Sequence, residues 1–594
     1  MKVKFLLAFV LSLAFSSNVF SNVYTVDIPG GNDAWAPPAG SLKKAITDAG
    51  LPSSPGRDTI QFAVAGNQVN VSDWTVLTIA QSDLYIDGST SNSQAVTLNA
   101  SILVSGSNVD FYGVNFERTN NYGLSISGTN NSVDSCSFDV ANNHALYITG
   151  SSNSVNRSAF DVSGNQYIGV FIDAGDGSEV RNSVFTSSDL HAISVKKGGR
   201  HTIDNCIITG IDDVAIILEG TGKDTISNCS ISDGDNNGIE VLSPENIIRN
   251  NEVYGNNKDL GVGFYIEKAG AISSKGPDTE IIDNIIYDNG GNGIFINSAS
   301  TNALVRNNIV GTNSNGDELG NGWNGIFVWS GNGANVQGNT VVNNGIGSSH
   351  DIRFMPDRIS GIRFQEVTSG TVHQNYLGTD ADKTEGGNAY DGITLHTNVT
   401  GVTVTENVLC YNGFKAQAKY SPQGGGGLAI RNVSGNNVVI SSNFIGVHED
   451  LSDGGNKDYG ISAEGATNLL IGGNTPADGN VIGYTKNVRD AAANQHGCGI
   501  WLVLGATTNS EIYNNEIIDN SGPGVLIDQG AKNNIVGASG KGNTILRNEY
   551  GIMVTSSGAS NNTLRYNSFS CNASGGISLQ NGGNEEYGGV DISK

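Results

Sequence analysis

One five-residue pattern constrains this chain more than any other feature: a small residue, then apolar, any, apolar, any. It runs Gly123-Leu-Ser-Ile-Ser, Ala145-Leu-Tyr-Ile-Thr, Gly169-Val-Phe-Ile-Asp, Ala192-Ile-Ser-Val-Lys, Ala215-Ile-Ile-Leu-Glu and Gly238-Ile-Glu-Val-Leu, with spacings of 22, 24, 23, 23 and 23 residues from Leu124 to Ile239. It goes on through Gly263-Phe-Tyr-Ile-Glu, Gly293-Ile-Phe-Ile-Asn, Gly325-Ile-Phe-Val-Trp, Gly361-Ile-Arg-Phe-Gln, Gly392-Ile-Thr-Leu-His and Gly427-Leu-Ala-Ile-Arg to Gly576-Ile-Ser-Leu-Gln, seventeen turns in all. A period-2 strand returning at a near-constant interval predicts an all-β solenoid, a right-handed parallel β-helix. In such a coil each turn pairs with the one below and buries its alternate apolar residues in a shared core. A propeller blade needs about twice the length per repeat, and a leucine-rich repeat has a different consensus.

From Phe264 to Ile500 the spacing widens to between 30 and 39 residues, then falls back to 25, 27 and 25. The extra residues must leave the coil as loops, and loops on a rigid scaffold are where function concentrates. Asn182, Asn205, Asn228 and Asn250 fall at one turn position, as expected of an amide ladder. Cys136, Cys206 and Cys229 share another position and are expected to stack inside the coil, Cys206 and Cys229 on adjacent turns where a disulfide is an open alternative.

The chain opens with Lys2 and Lys4, an apolar run from Phe5 to Phe15 and small residues at Ser21, which predicts a cleaved signal peptide over 1–21 and a secreted or periplasmic protein. Residues 22–100 read as an N-terminal cap and first turns, and 101–594 as the coil proper, with long loops at about 264–500. In the cap, Leu42, Ala45, Ile46 and Ala49 lie at helical spacing behind Ser41 and before Gly50, a helix suited to cover the open end of the core. No later segment has the roughly 18 apolar residues of a membrane span. A net charge of −25 excludes the basic stripe that nucleic-acid binding needs. The chain reads as a monomer, and Ca²⁺ is the one cofactor its residues leave open.

Gly40-Ser-Leu-Lys-Lys-Ala-Ile, Asp58-Thr-Ile-Gln-Phe62 and Leu84-Tyr-Ile-Asp-Gly-Ser89, with loops at 310–321, 377–388 and 445–456 of the type Gly-Thr-Asp-Ala-Asp, resemble bacterial exported right-handed β-helix repeat proteins. The resemblance spans nearly the whole mature chain. It implies the fold, and it implies either a surface adhesin or a polysaccharide lyase or hydrolase.

In each five-residue pattern the third and fifth residues point away from the core, and stacking turns them into two outer columns. Tyr265, Phe295, Phe327 and Trp329 are expected there as an aromatic strip able to hold sugar rings, with Lys196 on the same wall. Arg363, His396 and Arg431 follow over three turns, with Lys415 and Tyr420 on the loop between the last two. Together they supply the cation and base that elimination at a uronate requires. Glu219 and Glu240, placed roughly 8 Å apart by coil geometry, suit an inverting glycosidase or, with Glu267, a Ca²⁺ site. Paired acids at Asp212-Asp213 lack the His-Gly partner of polygalacturonases, and Lys196-Lys197 lacks the Arg-His strand of the alginate and chondroitin lyases. The expectation is a protein that binds and cleaves an extracellular polysaccharide, uronate elimination ahead of hydrolysis, with a non-enzymatic adhesion protein as the alternative.

Overall fold

A computed structural model describes residues 22–593 apart from 33–35, 50–55, 71–75, 90–94, 118–121, 141–142, 163–166, 259–268, 346–358, 415–424, 434–436, 487–496, 556–557 and 580–590. Three parallel sheets run its length, and every strand pairs with the equivalent strand one coil away. The coil containing Leu146–Ile148 shows the plan. That strand belongs to a front sheet, Ser154–Asn156 to a side sheet and Ala159–Val162 to a back sheet, and the chain then returns to Val170–Ile172 on the front. The alternate apolar residues point inward and are buried: Leu146 and Ile148 from the front, Val155 from the side and Phe160 from the back. Phe116, Phe138, Phe160 and Phe185 stack in the core with centroids 4.6–4.8 Å apart, the coil repeat itself.

The small residue that opens each front strand has a steric cause. A Cβ on Gly361 would lie 2.7 Å from the carbonyl oxygen of Gly392 and 2.8 Å from Nδ2 of Asn388. On this coil the corner admits no side chain, and where the pattern varies it, as at Ala145, Ala192 and Ala215, it holds no more than a methyl.

At the cap, Leu42–Ala49 is helical, with Leu42, Ala45 and Ile46 buried and Oγ of Ser41 accepting from the Lys44 amide at 3.3 Å. The helix packs on the first two side-sheet strands, Val23–Val26 and Asp58–Phe62, as the apolar spacing requires. The expected signal peptide and Gly50 lie outside the described residues.

The strand expected at 263–267 also lies outside them, and its rung in the front sheet is filled by Gly270–Ser274, which pairs with Ile239–Val241 below and Asn292–Ile296 above. The reason is local: Ser274 takes an inward position that an apolar residue normally holds, and its hydroxyl bonds Ser300 Oγ at 3.0 Å.

Asn182, Asn205, Asn228 and Asn250 each adopt positive φ at the corner between side and back sheets. Of the four, Asn205 Nδ2 donates to Asn182 Oδ1 at 2.7 Å, whereas Asn228 Nδ2 donates to Asp204 Oδ1 at 2.7 Å. The continuous ladder is one residue further on. Cys136, Ser158, Ser183, Cys206, Cys229 and Asn251 share that rung, which Asn then holds at 284, 308, 339, 375, 407, 443, 480, 515, 543 and 567. Each asparagine oxygen accepts the backbone N–H of the residue one coil below. Cys136, Cys206 and Cys229 are buried in this stack, and all are free thiols.

The three similar loops all leave the back sheet, after Ile309–Val310, Tyr376–Leu377 and Phe444–Ile445. Each closes on an antiparallel bridge, Thr312 with Glu318, Thr379 with Glu385 and Val447 with Asp453. Each then rejoins a second buried ladder at Asn321, Asn388 and Asn456.

Candidate functional site

The widened coils place a polar row on the outer front sheet. Trp329, Gln365, His396, Arg431 and Glu464 are in register on five consecutive coils, and each is half-buried. His396 and Arg431 are therefore side by side. Arg363 belongs to the neighbouring column, opposite Thr394, and reaches the row by donating from Nη2 to Oε1 of Gln365 at 2.9 Å. Its side chain is 2% exposed and its guanidinium lies 5.5 Å from the centroid of the Phe327 ring.

Arg431 is the hub of a buried cluster. Its Nη1 is 3.4 Å from Oδ2 of Asp391 and its Nε 3.7 Å from Oε2 of Glu464, while Nη2 donates to the Tyr459 hydroxyl at 3.1 Å. Tyr459 donates in turn to Oδ1 of Asp391 at 2.7 Å, an oxygen that also accepts the Gly426 amide at 2.9 Å. Thr394 donates to Oδ2 at 3.0 Å and receives the Ser360 hydroxyl at 2.6 Å. Burial first, and then the charge of Asp391, drive the Tyr459 phenol well above its ordinary range, so it stays a proton donor at any working pH. Asp391 and Tyr459 each stand just before the glycine that opens a front strand. The same place holds Asn292, Asn324 and Ser360 on earlier long coils, and that run of polar residues was the signal available in the sequence.

The expected aromatic strip is not an exposed platform. Phe295 is 0% and Phe327 6% exposed, their centroids are 5.4 Å apart, and the column continues buried through Arg363, Thr394, Ala429 and Ser462. Further along, Ala429, Tyr459, Cys498, Leu526 and Met553 make a second apolar core on the outer side of the sheet. An outward direction thus means leaving the coil interior, not reaching water. Trp329 alone of the described strip is half-buried, and its indole donates to Oε2 of Glu366 at 3.3 Å. Tyr265, Lys415, Tyr420 and Glu267 lie outside the described residues, and Ser273 holds the rung expected for Tyr265.

Lys196 donates to both carboxylate oxygens of Glu219 at 2.7 and 2.8 Å, and Lys275 donates to Glu240 at 2.5 Å. Glu219 and Glu240, the acids expected as a catalytic pair, are each neutralised by a lysine, and among the described residues no three His, Cys, Asp or Glu side chains gather around a metal-sized space.

The family model described as right handed beta helix region matches residues 145–310, and that described as periplasmic copper-binding protein (NosD) matches 476–587. Within the second stretch the described cysteines are Cys498, fully buried with its thiol pushed up by desolvation, and the exposed Cys571, with no cluster around either. Among the described residues of that stretch, neither thiol belongs to a set of side chains that fits a copper centre. No curated protein matches the chain significantly. Similar solved structures include a double mutant of the periplasmic alginate epimerase AlgG, at 13% identity over 62% of this chain and 85% of that one, TM-score 0.39. Two others are the mannuronan C-5 epimerase AlgE6 A-module of Azotobacter vinelandii (12%, 83% and 98%, 0.32) and the Dettilon tailspike protein gp208 (14%, 69% and 68%, 0.35). The stacked parallel sheets and the first family match together make this chain a right-handed parallel β-helix repeat protein.

Proposed function

We propose that the chain is an exported protein that binds an extracellular polysaccharide along the outer front sheet from Lys196 to Arg431 and cleaves it, by elimination at a uronate rather than by hydrolysis. The charged and apolar opening of the sequence supports export. The observation that carries the rest is the half-buried row Trp329, Gln365, His396, Arg431 and Glu464. It sets a ring, an amide, an imidazole and a guanidinium at intervals of about 4.8 Å, close to the length of one sugar unit.

In the elimination, His396 takes the proton from C5 of the uronate, the C4–O bond to the departing sugar breaks, and a C4=C5 double bond forms. Arg431 answers the uronate carboxylate through its N–H edge, the buried Arg363 holds Gln365 in the row, and Lys415 or Tyr420 donates the proton that the departing O4 takes up. Phe327 and Phe295 act from beneath as packing for Arg363. Tyr265 would join Trp329 and Lys196 in holding the polymer, and Ca²⁺ at Glu219, Glu240 and Glu267 would require displacement of Lys196 and Lys275.

A second reading, a cell-surface protein that binds without cleaving, is favoured by the pairing of Arg431 with Asp391 and Glu464. The deciding experiment incubates the protein with acidic and neutral glycans and follows ultraviolet absorbance of unsaturated uronates together with reducing ends. Elimination activity lost in both His396→Ala and Arg431→Ala supports the first reading. Activity unchanged in both removes the mechanism. Retention on intact cells with no product from any glycan supports the second.

A further inference from the structure

The back sheet carries a slot that neither reading uses. In its outward column Tyr376, Val408 and Phe444 stand in register on three consecutive coils, and these two aromatics are separated by the one small side chain. Elsewhere in this coil aromatics on adjacent turns close on each other: Tyr254 and Tyr287 stack at 5.0 Å with planes 3° apart, leaving no gap. Skipping one coil doubles the separation to about 9.6 Å. Van der Waals contact on both faces of an inserted ring needs roughly 7–8 Å of that. Val408, 3% exposed, forms the floor.

The slot lies in a groove of about 390 Å³ whose sides are polar. On one side are the corner residues Gln374, Glu406 and Ser442, with Gln374 Nε2 donating to Oε2 of Glu406 at 2.8 Å. On the other is Glu449, carried over by the loop that follows Phe444–Ile445 and near enough to the Tyr376 hydroxyl for its charge, after burial, to raise that phenol. Two aromatic residues two coils apart on one groove, rimmed by acceptors and a hydroxyl, suit a ring with apolar faces and hydroxylated edges. The rim charge selects further. Glu406 and Glu449 are both acidic in a chain of net charge −25, so they repel carboxylated or sulfated sugars while accepting charge-assisted hydrogen bonds from neutral hydroxyls.

We propose that the Tyr376–Phe444 slot binds a pyranose unit of a neutral glycan, clamped between the two rings with its hydroxyls on Glu406 and Glu449. The site is on a different sheet from the His396 row and prefers the opposite charge class, so the two readings stand or fall separately.

The test is calorimetric titration of the full chain with cellohexaose, mannohexaose and hexamannuronate. A neutral hexamer is expected to bind and hexamannuronate not to compete for the slot. Tyr376→Ala and Phe444→Ala should each weaken binding roughly tenfold, as loss of one stacked face predicts. Val408→Phe, which fills the slot by restoring an uninterrupted stack, should abolish binding while thermal unfolding shows an intact coil. His396→Ala should leave the titration unchanged. Absence of binding by both neutral hexamers, binding that survives Val408→Phe, or binding lost in His396→Ala would each overturn the proposal.

Discussion

The backbone N–H of His201 donates to Oδ1 of Asp224 at 2.8 Å, one rung of a buried ladder in which Asn246 serves Asp224 in the same way. The other carboxylate oxygen, Oδ2 of Asp224, is buried without a hydrogen-bond partner. Burial, and to a smaller extent the charge of Asp176, raise this carboxyl to about 6, the His201 amide alone opposing them. The unfolded carboxyl ionises near 4. The folded state therefore holds the proton more tightly between these values, and stability falls as pH rises from about 4 to about 6, remaining lower above that. Asp224→Asn restores the amide used at Asn131, Asn153 and Asn246. It should stabilise the coil above pH 6 by up to roughly 3 kcal/mol and change little below pH 4. Urea unfolding at pH 7.5 and pH 4 checks both the gain and its disappearance; an equal effect at the two pH values would contradict the ionisation argument.

Asn339 illustrates what a rung of the long ladder contributes. Its Oδ1 accepts the Asn308 backbone N–H at 2.9 Å, and its Nδ2 donates to the Val305 carbonyl at 2.9 Å and to Oδ1 of Asn375 at 2.9 Å. Asn339→Ala strands a buried backbone N–H and should cost about 3 kcal/mol. Asn339→Ser should cost less, because Ser158 and Ser183 fill equivalent rungs. The order of the two unfolding midpoints is the measurement.

In the front cluster, Asp391→Ala removes the carboxylate that, among the described residues, lies closest to the half-buried Arg431 guanidinium. A loss of about 3–5 kcal/mol is expected. Tyr459→Phe removes one hydroxyl and should cost about 1 kcal/mol. Thermal unfolding separates them, and equal destabilisation would mean that Asp391 is not the main counter-charge.

Alkylation with iodoacetamide reads the cysteine placement directly. Cys571 is exposed, whereas Cys136, Cys206, Cys229, Cys410 and Cys498 are buried. Mass spectrometry of the native protein should show one added group, and of the protein unfolded without reductant six. Four in the second case would mean that Cys206 and Cys229 had joined.

The coil was legible because its period is enforced by sterics at one corner, where Gly361 has no room for a Cβ and no equivalent residue from Gly123 on is larger than alanine. Where a coil broke its own pattern, legibility failed. Buried Ser274 disguised the strand Gly270–Ser274, and the fuller motif at 263–267 was mistaken for it. The side-by-side placement of His396 and Arg431 followed from alternation and register alone. The burial of Phe295 and Phe327 did not, since alternation says which way a side chain leaves the strand and nothing of what is stacked over it. Asp391 sits one place ahead of the repeating motif, where the five-residue pattern marks nothing. The Tyr376–Phe444 slot needed the knowledge that Val408 lies between them on the back wall, which no five-residue pattern marks.

The asparagine ladder has a bearing on how such a protein changes over generations. Each rung presents the same donor and acceptor to the coil above and to the coil below. A duplicated coil can therefore be spliced in anywhere along the amide run without a new joint having to be invented. Lengthening the gene by one repeat would lengthen the molecule by about 4.8 Å and leave every existing junction as it was.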